Sequence, residues 1–485
     1  MTHRNLIGGQ WQDGHGVTLN VNPSDTGDVI GDYALADAEQ ARAAVAAAAE
    51  AAPGWARTTG AARAEILDRA GEELLRRRDE LGDLLAREEG KTLPEAVAEV
   101  VRAGQILRFQ AGQALRLTGE HVESVRPGVE VTVTREPVGV VTVVTPWNFP
   151  VAIPAWKIAP ALAHGNTVVF KPAELVPGSA WALVDVLHRA GLPAGVLNLV
   201  MGRGRDIGDV ITGAPQVSAV SFTGSTATGE RVLRAAQAHR ARVQLEMGGK
   251  NPLVVADDCD LHLAVDLALQ GSFGSTGQRC TASSRLVVMD AVHDAFVERL
   301  GAAMRALTVD DARKPGTDMG PVVDATQLEQ DLEYVRIAAF EGADVIGGER
   351  LERSAAGFYL APALAVGTRP GDTVNREEVF GPLASVIRVA DYDEAVEVAG
   401  DTEFGLTAGL VTTSLARATD FRRRSTAGMV MINVPTAGVD FHVPFGGRGA
   451  SSYGPREQGA AAREFFTTSK TAYVAAGDPR GVRRP

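Results

Sequence analysis

Cysteine is scarce in this chain, with only Cys259 and Cys280 among 485 residues. Two cysteines cannot build a disulfide framework, so this usage excludes a disulfide-stabilised domain and favours a reducing, cytoplasmic setting. The nine histidines are scattered and no Cys-x-x-Cys or His-x-x-x-His pair occurs, so no metal site is expected. Residues 1–9 hold no apolar signal core, and the longest apolar runs, such as residues 138–144, are too short to span a bilayer.

An excess of positive charge is also missing. The 48 Lys and Arg are outnumbered by 60 Asp and Glu, which gives a formal net charge of −12. This balance argues against nucleic acid or an anionic membrane as a partner. Hydrophobic residues make up 45% and charged residues 22% of the chain, as is usual for a soluble globular enzyme. At 485 residues the chain exceeds one compact core, so two or three domains are expected.

What the chain does contain is an alternation of short β-branched runs and helical patterns. Nearly unbroken apolar runs are typical of parallel strands buried on both faces, and four of them occupy residues 138–144, 167–170, 196–200 and 217–222. They predict an α/β fold with a doubly wound nucleotide-binding unit. A second α/β region is predicted from the runs at residues 253–255, 285–289, 383–389 and 429–433.

Residues 5–35 are predicted to form short strands and turns, and helices are predicted to follow them. Asp37 is a plausible N-cap of a helix that Pro53 ends, and its many alanines suit an exposed surface. Apolar spacing predicts one long amphipathic helix over residues 61–89 and another over 94–117. Residues 129–134 then alternate between apolar and polar, which predicts a half-exposed strand. Residues 471–474 are a possible partner strand, and together the two are expected to form an oligomerisation arm.

The stretch between Glu246 and Cys280 is the strongest candidate for chemistry. Glu246 stands before a Gly-Gly turn, Cys280 follows a glycine turn, and the helical pattern between them can fold back. A thiol attacks well as thiolate, so its surroundings are expected to lower its pKa, whereas a carboxylate base needs a raised pKa. A small buried apolar residue is the commoner role of a lone cysteine. Cys259 lies among acids that would raise its pKa and is a poor nucleophile candidate.

Other polar residues follow the predicted strands, where open α/β sheets bind ligands. Asn148, in a loop with prolines on both sides, could donate to an oxyanion or merely stabilise its own turn. Lys171 and Glu174 could hold ribose hydroxyls, and Glu174 would repel a 2′-phosphate, which favours NAD over NADP. The glycine loop at residues 223–229 opens a helix whose N-terminus favours phosphate.

These motifs, taken together and in order, resemble the aldehyde dehydrogenase superfamily over nearly the full length. The matching stretches are residues 146–150, 171–174, 222–225, 246–250, 277–280, 378–382 and 444–447. The resemblance implies a Rossmann-type cofactor domain with five parallel strands, an α/β catalytic domain and a bridging β-arm. The cofactor domain would comprise residues 1–122 and 142–250, and the catalytic domain residues 251–450. The β-arm would comprise residues 123–141 and 466–478. It also implies NAD or NADP as cofactor, a small-molecule aldehyde substrate, and a homodimer or homotetramer.

The resemblance further implies residue roles. Cys280 matches the nucleophile, Glu246 the base that activates water, and Asn148 an oxyanion donor alongside the Cys280 N–H. Glu457 aligns with a carboxylate that some members use in a proton relay. The implied cofactor contacts are Trp147, Lys171, Glu174, Gly224, Ser225, Gly229, Glu378 and Phe380.

Within the superfamily, residues 171–181, 277–285 and 435–447 look like the α-ketoglutaric semialdehyde (2,5-dioxovalerate) dehydrogenases. That subgroup, some of whose members prefer NADP, forms 2-oxoglutarate. Related succinic semialdehyde dehydrogenases bind the substrate carboxylate with an arginine six positions before the nucleophile, where this chain has Gly274. Arg279 and Thr436 are the candidate substitutes.

Four alternatives remain open at this point. The substrate could be another semialdehyde or an aliphatic aldehyde. A CoA-acylating dehydrogenase is disfavoured because that subclass generally lacks a base at the Glu246 position. A cofactor-independent cysteine hydrolase would need an imidazole partner, and no histidine lies near Cys280 in sequence. An inactive binding homologue is disfavoured by the presence of Cys280, Glu246 and Asn148.

Overall fold

The computed structural model describes residues 2–477. Its strands are β1 (Asn5–Ile7), β2 (Gln10–Gln12), β3 (Gly16–Asn22), β4 (Asp25–Leu35), β5 (Glu120–Glu123), β6 (Val129–Pro137), β7 (Val140–Val144), β8 (Thr167–Lys171), β9 (Leu197–Leu199), β10 (Val217–Thr223), β11 (Arg242–Glu246), β12 (Asn251–Val255), β13 (Ser283–Met289), β14 (Asp344–Gly347), β15 (Ala363–Val366), β16 (Leu383–Val389), β17 (Phe404–Gly405), β18 (Thr407–Val411), β19 (Met429–Ile432), β20 (Arg448–Gly449), β21 (Ser452–Tyr453) and β22 (Thr467–Ala475).

The helices are α1 (Ala38–Ala56), α2 (Gly60–Arg76), α3 (Arg78–Glu89), α4 (Leu93–Ala114), α5 (Ala152–Ala163), α6 (Pro177–Arg189), α7 (Gly204–Thr212), α8 (Thr226–Gln237), α9 (Leu261–Phe273), α10 (Asp290–Arg305), α11 (Ala325–Phe340), α12 (Thr373–Arg376), α13 (Tyr392–Gly400), α14 (Leu415–Arg424) and α15 (Arg463–Phe466). Short 3₁₀ turns span Gly274–Gly277 and Gly459–Ala462. Between residues 2 and 477, no helix combines the length and apolar character needed to cross a bilayer.

The first sheet has the strand order β2-β1-β9-β8-β7-β10-β11-β21. Its five central strands, β9 to β11 in that order, are parallel, as the motifs implied. The three edge strands are antiparallel. Strands β1 and β2 lie where short strands were predicted, whereas β21 was not predicted. Every residue of β8 is buried because helices cover both faces, which explains the unbroken apolar run in the sequence. The carboxyl ends of the parallel strands therefore form one edge, as in other doubly wound sheets.

The second sheet has the order β14-β15-β16-β13-β12-β18-β19 and is parallel apart from the β14–β15 pair. Four of its strands coincide with the predicted runs. Strand β18 was missed because Gly409 interrupts its apolar pattern. A Cβ at Gly409 would lie 2.7 Å from Leu253 Cδ1, so glycine lets β18 and β12 pack closely.

A separate three-stranded antiparallel sheet has the order β22-β6-β5. Thr471 pairs with Val133, which confirms the predicted partner strands. The segment begins at Glu120, slightly before the expected residue 123, whereas Val140 and Val141 already belong to β7 of the first sheet. Residue 478 of the expected arm lies outside the described residues.

Two predictions about helix α1 are wrong. The helix continues past Pro53 to Ala56, where buried Trp55 anchors its last turn. Its alanines are not all exposed, because Ala41, Ala44 and Ala48 are fully buried and let the helix approach the first sheet. The expected N-cap is confirmed, since Asp37 accepts hydrogen bonds from two backbone N–H groups of the first turn at 3.0 and 2.9 Å.

The predicted long helix over residues 61–89 is two helices, α2 and α3, broken at Arg77. Leu74 and Leu81 stay in phase across the break, because seven residues are close to two helical turns, so periodicity alone could not locate it. The turn redirects α3 so that Gly82 packs directly against Val97 of α4.

We expect Gly82→Val to destabilise the protein. An added Cβ would lie 2.5 Å from Val97 Cγ2 and 2.9 Å from its Cα, so backbone must move. Overpacking of this kind costs about 1–3 kcal/mol. The matched control is Gly112→Ala on α4, whose Cβ meets only Arg116 Nη1 at 3.9 Å and which should gain roughly 0.5–1 kcal/mol of helix stability. Urea unfolding of the three proteins measures both effects, and equal or greater stability of Gly82→Val would contradict the packing described.

Candidate active site

Cys280 follows a turn held in an unusual backbone conformation. Ser275, Thr276 and Gly277 have φ angles of 48°, 56° and 68°, the left-handed region that L-residues rarely adopt. Such strain persists only where surrounding contacts enforce it. Glu95 accepts a hydrogen bond from the Ser275 N–H at 2.8 Å. A Cβ at Gly277 would lie 2.2 Å from the Gly381 carbonyl oxygen, so glycine is required there. The turn thus fixes where the Cys280 side chain emerges.

The half-buried Cys280 lines a cavity of about 350 Å³. Burial raises the pKa of its thiol, and the neighbouring Glu378 and Glu246 carboxylates raise it further. The expectation that the surroundings lower this pKa is therefore wrong, because the nearby charges are negative. Burial, with Asp258 beside it, raises the pKa of Cys259 to about 11, as expected for a poor nucleophile. Cys280 is distinguished by its access to the cavity.

Glu246 ends strand β11 and is 3% exposed. Its Oε2 accepts a hydrogen bond from the Ser452 hydroxyl at 2.6 Å. Burial raises the pKa of Glu246 well above its ordinary value, and repulsion from Glu457 adds to the effect. The residue 444–447 loop packs over it so closely that a Cβ at Gly446 would lie 2.7 Å from Glu246 Oε1. A carboxyl with a raised pKa is suited to accept a proton near neutrality.

Glu457 sits at the centre of a buried network. It forms an ion pair with Lys157 in which both side chains are 1% exposed. Trp156 Nε1 donates to Glu457 Oε2 at 2.7 Å. Lys157 Nζ also donates to the Ser221 hydroxyl at 2.9 Å. The network joins helix α5 to the C-terminal segment and places a charge pair close enough to Glu246 to act on its pKa.

Asn148 is buried in the loop after β7 and is tied to the cysteine segment. Its Nδ2 donates to the Gln278 carbonyl at 2.9 Å, which leaves one amide hydrogen free. Lys91 Nζ donates to the Asn148 carbonyl at 2.6 Å and holds the loop. Within residues 2–477 the Cys280 N–H forms no hydrogen bond. Asn148 and Cys280 therefore each retain a donor.

Lys171 and Glu174 meet at the end of strand β8. Glu174 Oε1 accepts a hydrogen bond from the Gly204 N–H at 2.7 Å. The buried Lys171 Nζ donates only to the Pro172 main-chain carbonyl at 3.0 Å, and burial lowers its pKa. Gly204 begins helix α7 and was not predicted as a cofactor contact.

The glycine loop after β10 caps helix α8. The Ser225 hydroxyl accepts a hydrogen bond from the Thr228 N–H, and the Gly224 N–H donates to the Glu246 carbonyl at 3.1 Å. Gly229 faces the protein, since a Cβ there would lie 2.5 Å from Met247 Sδ. Gly229 therefore serves helix packing, while Gly224 and Ser225 lie at the helix N-terminus.

A third group of predicted cofactor residues consists of Glu378, Phe380 and Trp147. Glu378 Oε1 accepts a hydrogen bond from the Gly249 N–H at 2.8 Å. Burial raises the pKa of Glu378 to about 7. Phe380 has a φ of 64°, and its ring packs edge-on to Trp147 with centroids 5.4 Å apart. A Cβ at Gly248 would lie 2.4 Å from Glu378 Oε2, so the backbone there forms a cradle without side chains.

These features fit a dinucleotide. Lys171, the N-terminus of α8 and the Gly248 cradle follow strands β8, β10 and β11, at the carboxyl edge where such sheets bind nucleotides. A buried ammonium with one main-chain partner can donate to ribose hydroxyls, and a helix N-terminus favours pyrophosphate. Among the predicted cofactor residues, Gly229 alone is turned away from this edge.

The two predicted substrate residues have other partners. Arg279 Nη2 donates to Glu95 at 2.8 Å and to the Ser275 hydroxyl at 2.8 Å. Its guanidinium lies over Gly274, whose added Cβ would be 3.0 Å from Arg279 Nη1. Thr436 is fully buried and donates to the Thr281 carbonyl at 2.8 Å. The structure therefore does not place Thr436 at the cavity, which its chain neighbours line instead.

Sequence reasoning missed several residues of the site. Lys157 could have been found, because it is the one charged residue in the apolar run of α5. Arg102 gave no signal, since it lies among other charges on the amphipathic α4. Ser452 reaches Glu246 only through the two-residue strand β21, and Gln278 contributes only its carbonyl to Asn148.

Comparisons with known proteins agree with a site that combines a dinucleotide edge and a cysteine. The aldehyde dehydrogenase family model matches residues 11–472. The α-ketoglutaric semialdehyde dehydrogenase of Bacillus subtilis is 42% identical over 479 residues, 98% of each chain. The 2,5-dioxopentanoate dehydrogenase of Saccharolobus solfataricus is 40% identical over 473 residues, which make up 96% of this chain and 98% of the relative. The crystal structure of betaine aldehyde dehydrogenase from Staphylococcus aureus in complex with NAD+ superposes with a TM-score of 0.95 at 30% identity, covering 99% and 97% of the two chains.

We expect Glu378→Gln to speed alkylation of Cys280 in a Cys259→Ser background. Removing this negative charge should lower the pKa of the Cys280 thiol. A fall of about 0.5 in that pKa gives about threefold more thiolate at pH 8. Iodoacetamide labelling measured by intact mass gives the rate. Glu377→Gln is the matched control, because Glu377 is adjacent but exposed. Equal rates in the two variants would show that Glu378 does not act on the thiol.

Proposed function

The chain belongs to the aldehyde dehydrogenase family and is an NAD(P)-dependent aldehyde dehydrogenase, and we propose that it oxidises α-ketoglutaric semialdehyde to 2-oxoglutarate. The resemblance and the α/β fold class expected from the motifs are thereby confirmed. The observation that carries the reaction is that Cys280 lines the cavity, while Asn148 donates to the carbonyl of nearby Gln278 and the Glu246 carboxylate acts on the Cys280 thiol. The names of the two curated relatives support the substrate.

In the proposed first step, Cys280 Sγ adds as thiolate to the aldehyde carbon and forms a thiohemiacetal. The raised pKa of the thiol means that its proton must leave before the attack, and this proton passes to solvent. The negative charge moves to the former carbonyl oxygen. The free amide hydrogen of Asn148 and the unused Cys280 N–H are the donors available to it.

Bound NAD+ or NADP+ supplies the acceptor for the hydride that leaves this carbon. A thioester with Cys280 remains on the chain. Glu246 then takes a proton from a water molecule that attacks the thioester carbon, and the carboxylic acid and free thiol are released. Glu457 and Lys157 lie behind Glu246 and offer a route for the proton through their buried network.

Lys171 and Glu174 would hold the adenosine ribose, Gly224 and Ser225 the pyrophosphate, and Glu378 the nicotinamide ribose. Trp147 and Phe380 would enclose the ring. Glu174 is fixed by the Gly204 N–H, which keeps a negative charge near the ribose and favours NAD over NADP. Gly229 would act indirectly, by letting helix α8 approach Met247.

The three sheets support the proposed division into cofactor, catalytic and oligomerisation units. The arm formed by β5, β6 and β22 leaves Val122, Tyr473 and Val474 exposed. Apolar residues on an extended sheet suit burial against a second copy of the chain, so a homodimer or homotetramer is proposed. The catalytic unit would begin near residue 251, while β21 returns to the first sheet beside Glu246.

The alternatives have less support. No histidine is among the residues that line the cavity with Cys280 in the described chain, which disfavours an imidazole-assisted hydrolase. Glu246 is buried beside a hydrogen-bonded Ser452, as a water-activating base requires, which disfavours transfer to CoA.

A substrate panel tests the proposed function. We expect the kcat/KM for α-ketoglutaric semialdehyde to exceed that for pentanal at least about tenfold, since a buried charged contact contributes ~1.5–3 kcal/mol. Reduction of NAD+ and NADP+ is followed spectroscopically, 2-oxoglutarate is identified as product, and succinic and glutaric semialdehydes are included. Equal or better use of pentanal would reject the substrate, and a requirement for CoA would reject hydrolysis.

We expect Glu246→Gln to keep a pre-steady-state burst of reduced cofactor while steady turnover falls about 10²–10⁴-fold, because general-base catalysis contributes that much. Stopped-flow absorbance measures both phases in one experiment. Loss of the burst together with turnover would assign Glu246 to the first step instead of thioester hydrolysis.

A further inference from the structure

The substrate cavity is lined by three cationic side chains, and two of them are already neutralised. Lys91 lies 2.6 Å from Glu99, and Arg279 lies 2.8 Å from Glu95. The third is Arg102, which has no carboxylate within 4.0 Å among residues 2–477. A cation facing an enclosed space without a counter-ion is unfavourable by itself and attracts an anion.

The contacts of Arg102 leave donor capacity unused. One guanidinium nitrogen, Nη2, donates to Gln458 Oε1 at 3.3 Å, while the buried Nε has no partner within the described chain. The guanidinium carbon lies 5.8 Å from the Trp156 ring centroid. Burial lowers the pKa of Arg102, and the carboxylates of Glu99 and Asp440 oppose that shift. Arginine keeps its charge in proteins, so the cation persists.

Gln458 accepts the hydrogen bond that orients the Arg102 guanidinium. It is 1% exposed and has a φ of 59°, a left-handed conformation that is costly for glutamine. Its Nε2 also lacks an acceptor in the described part of the chain. The strained residue thus presents its amide oxygen to the guanidinium and fixes its direction without cancelling its charge.

We propose that Arg102 binds the carboxylate of the substrate while Cys280 receives the aldehyde of the same molecule. Apolar side chains that line the same cavity suit a short methylene chain, namely Phe149, Ile153, Trp156, Val439 and Phe445. Arg279, the candidate from sequence, is committed to Glu95 and positions the turn before Cys280 instead. The assignment rests on the proposed function, because it requires a substrate that carries both an aldehyde and a carboxylate.

The test is the ratio of kcat/KM for α-ketoglutaric semialdehyde to kcat/KM for pentanal. Arg102→Met should lower this ratio at least about 30-fold, mainly through KM, which corresponds to ~2 kcal/mol for a charged hydrogen bond. Arg102→Lys should recover part of the loss. The matched control is Arg422→Met, because Arg422 is an exposed arginine of α14 far from the cavity lining, and its ratio should equal that of the wild type.

Gln458→Glu provides a second test that leaves Arg102 in place. A carboxylate at this position would neutralise the guanidinium, so the ratio should fall as it does in Arg102→Met. This variant decides the matter if Arg102→Met does not fold.

The outcomes separate the two proposals. If the wild type prefers the semialdehyde and Arg102→Met keeps that preference, the assignment of Arg102 is overturned and the proposed function stands. An equal fall for both aldehydes likewise overturns it, because that pattern marks a structural role. If the wild type shows no preference for the carboxylate-bearing aldehyde, the proposed substrate fails first and the assignment fails with it.

Discussion

Negative charge concentrated around one thiol is the constraint on which this site depends. Glu246, Glu378 and Glu457 all act on Cys280, and each is too enclosed to be stabilised by water. Burying carboxylates without partners is costly, so each is held by a fixed donor from another part of the chain. The donors are the Ser452 hydroxyl for Glu246, the Gly249 N–H for Glu378, and Lys157 with Trp156 for Glu457. Burial raises the pKa values of Glu246 and Glu378, repulsion from Glu457 raises that of Glu246 further, and the donors offset only part of the shift.

Helix α4 connects these features, although the sequence indicated only an amphipathic helix. Glu95, Glu99 and Arg102 are spaced four and three residues apart, so they share one face. Glu95 holds the left-handed turn before Cys280 and pairs with Arg279. Glu99 accepts hydrogen bonds from two N–H groups at the start of α5 and pairs with Lys91, which in turn holds the Asn148 loop. One helical face therefore positions both the nucleophile and the amide donor, and it adds the unpaired cation of the cavity.

The sequence predicted those parts of the molecule that depend on local pattern. Short apolar runs located four of the five parallel strands of the first sheet. The order of the motifs indicated the family and the roles of Cys280, Glu246 and Asn148. What it could not predict depends on distant contacts or on burial. Arg279 pairs with Glu95, which lies 184 residues away in sequence, so the ion pair could not be predicted. Arg102 is one of several charged residues on α4, and nothing in the sequence distinguished it from the others. The direction of the Cys280 pKa shift was missed because burial of the thiol is its largest cause, and the carboxylates that add to it come from separate segments.

The central claim is that Cys280 carries the oxidised substrate and Glu246 removes it. The most direct test is to incubate Glu246→Gln with α-ketoglutaric semialdehyde and NAD+ or NADP+, quench in acid, and map acylated peptides by mass spectrometry. The account predicts an acyl group on the peptide that contains Cys280 and none on the peptide that contains Cys259. Reduced cofactor formed without any acyl adduct on Cys280 would contradict it.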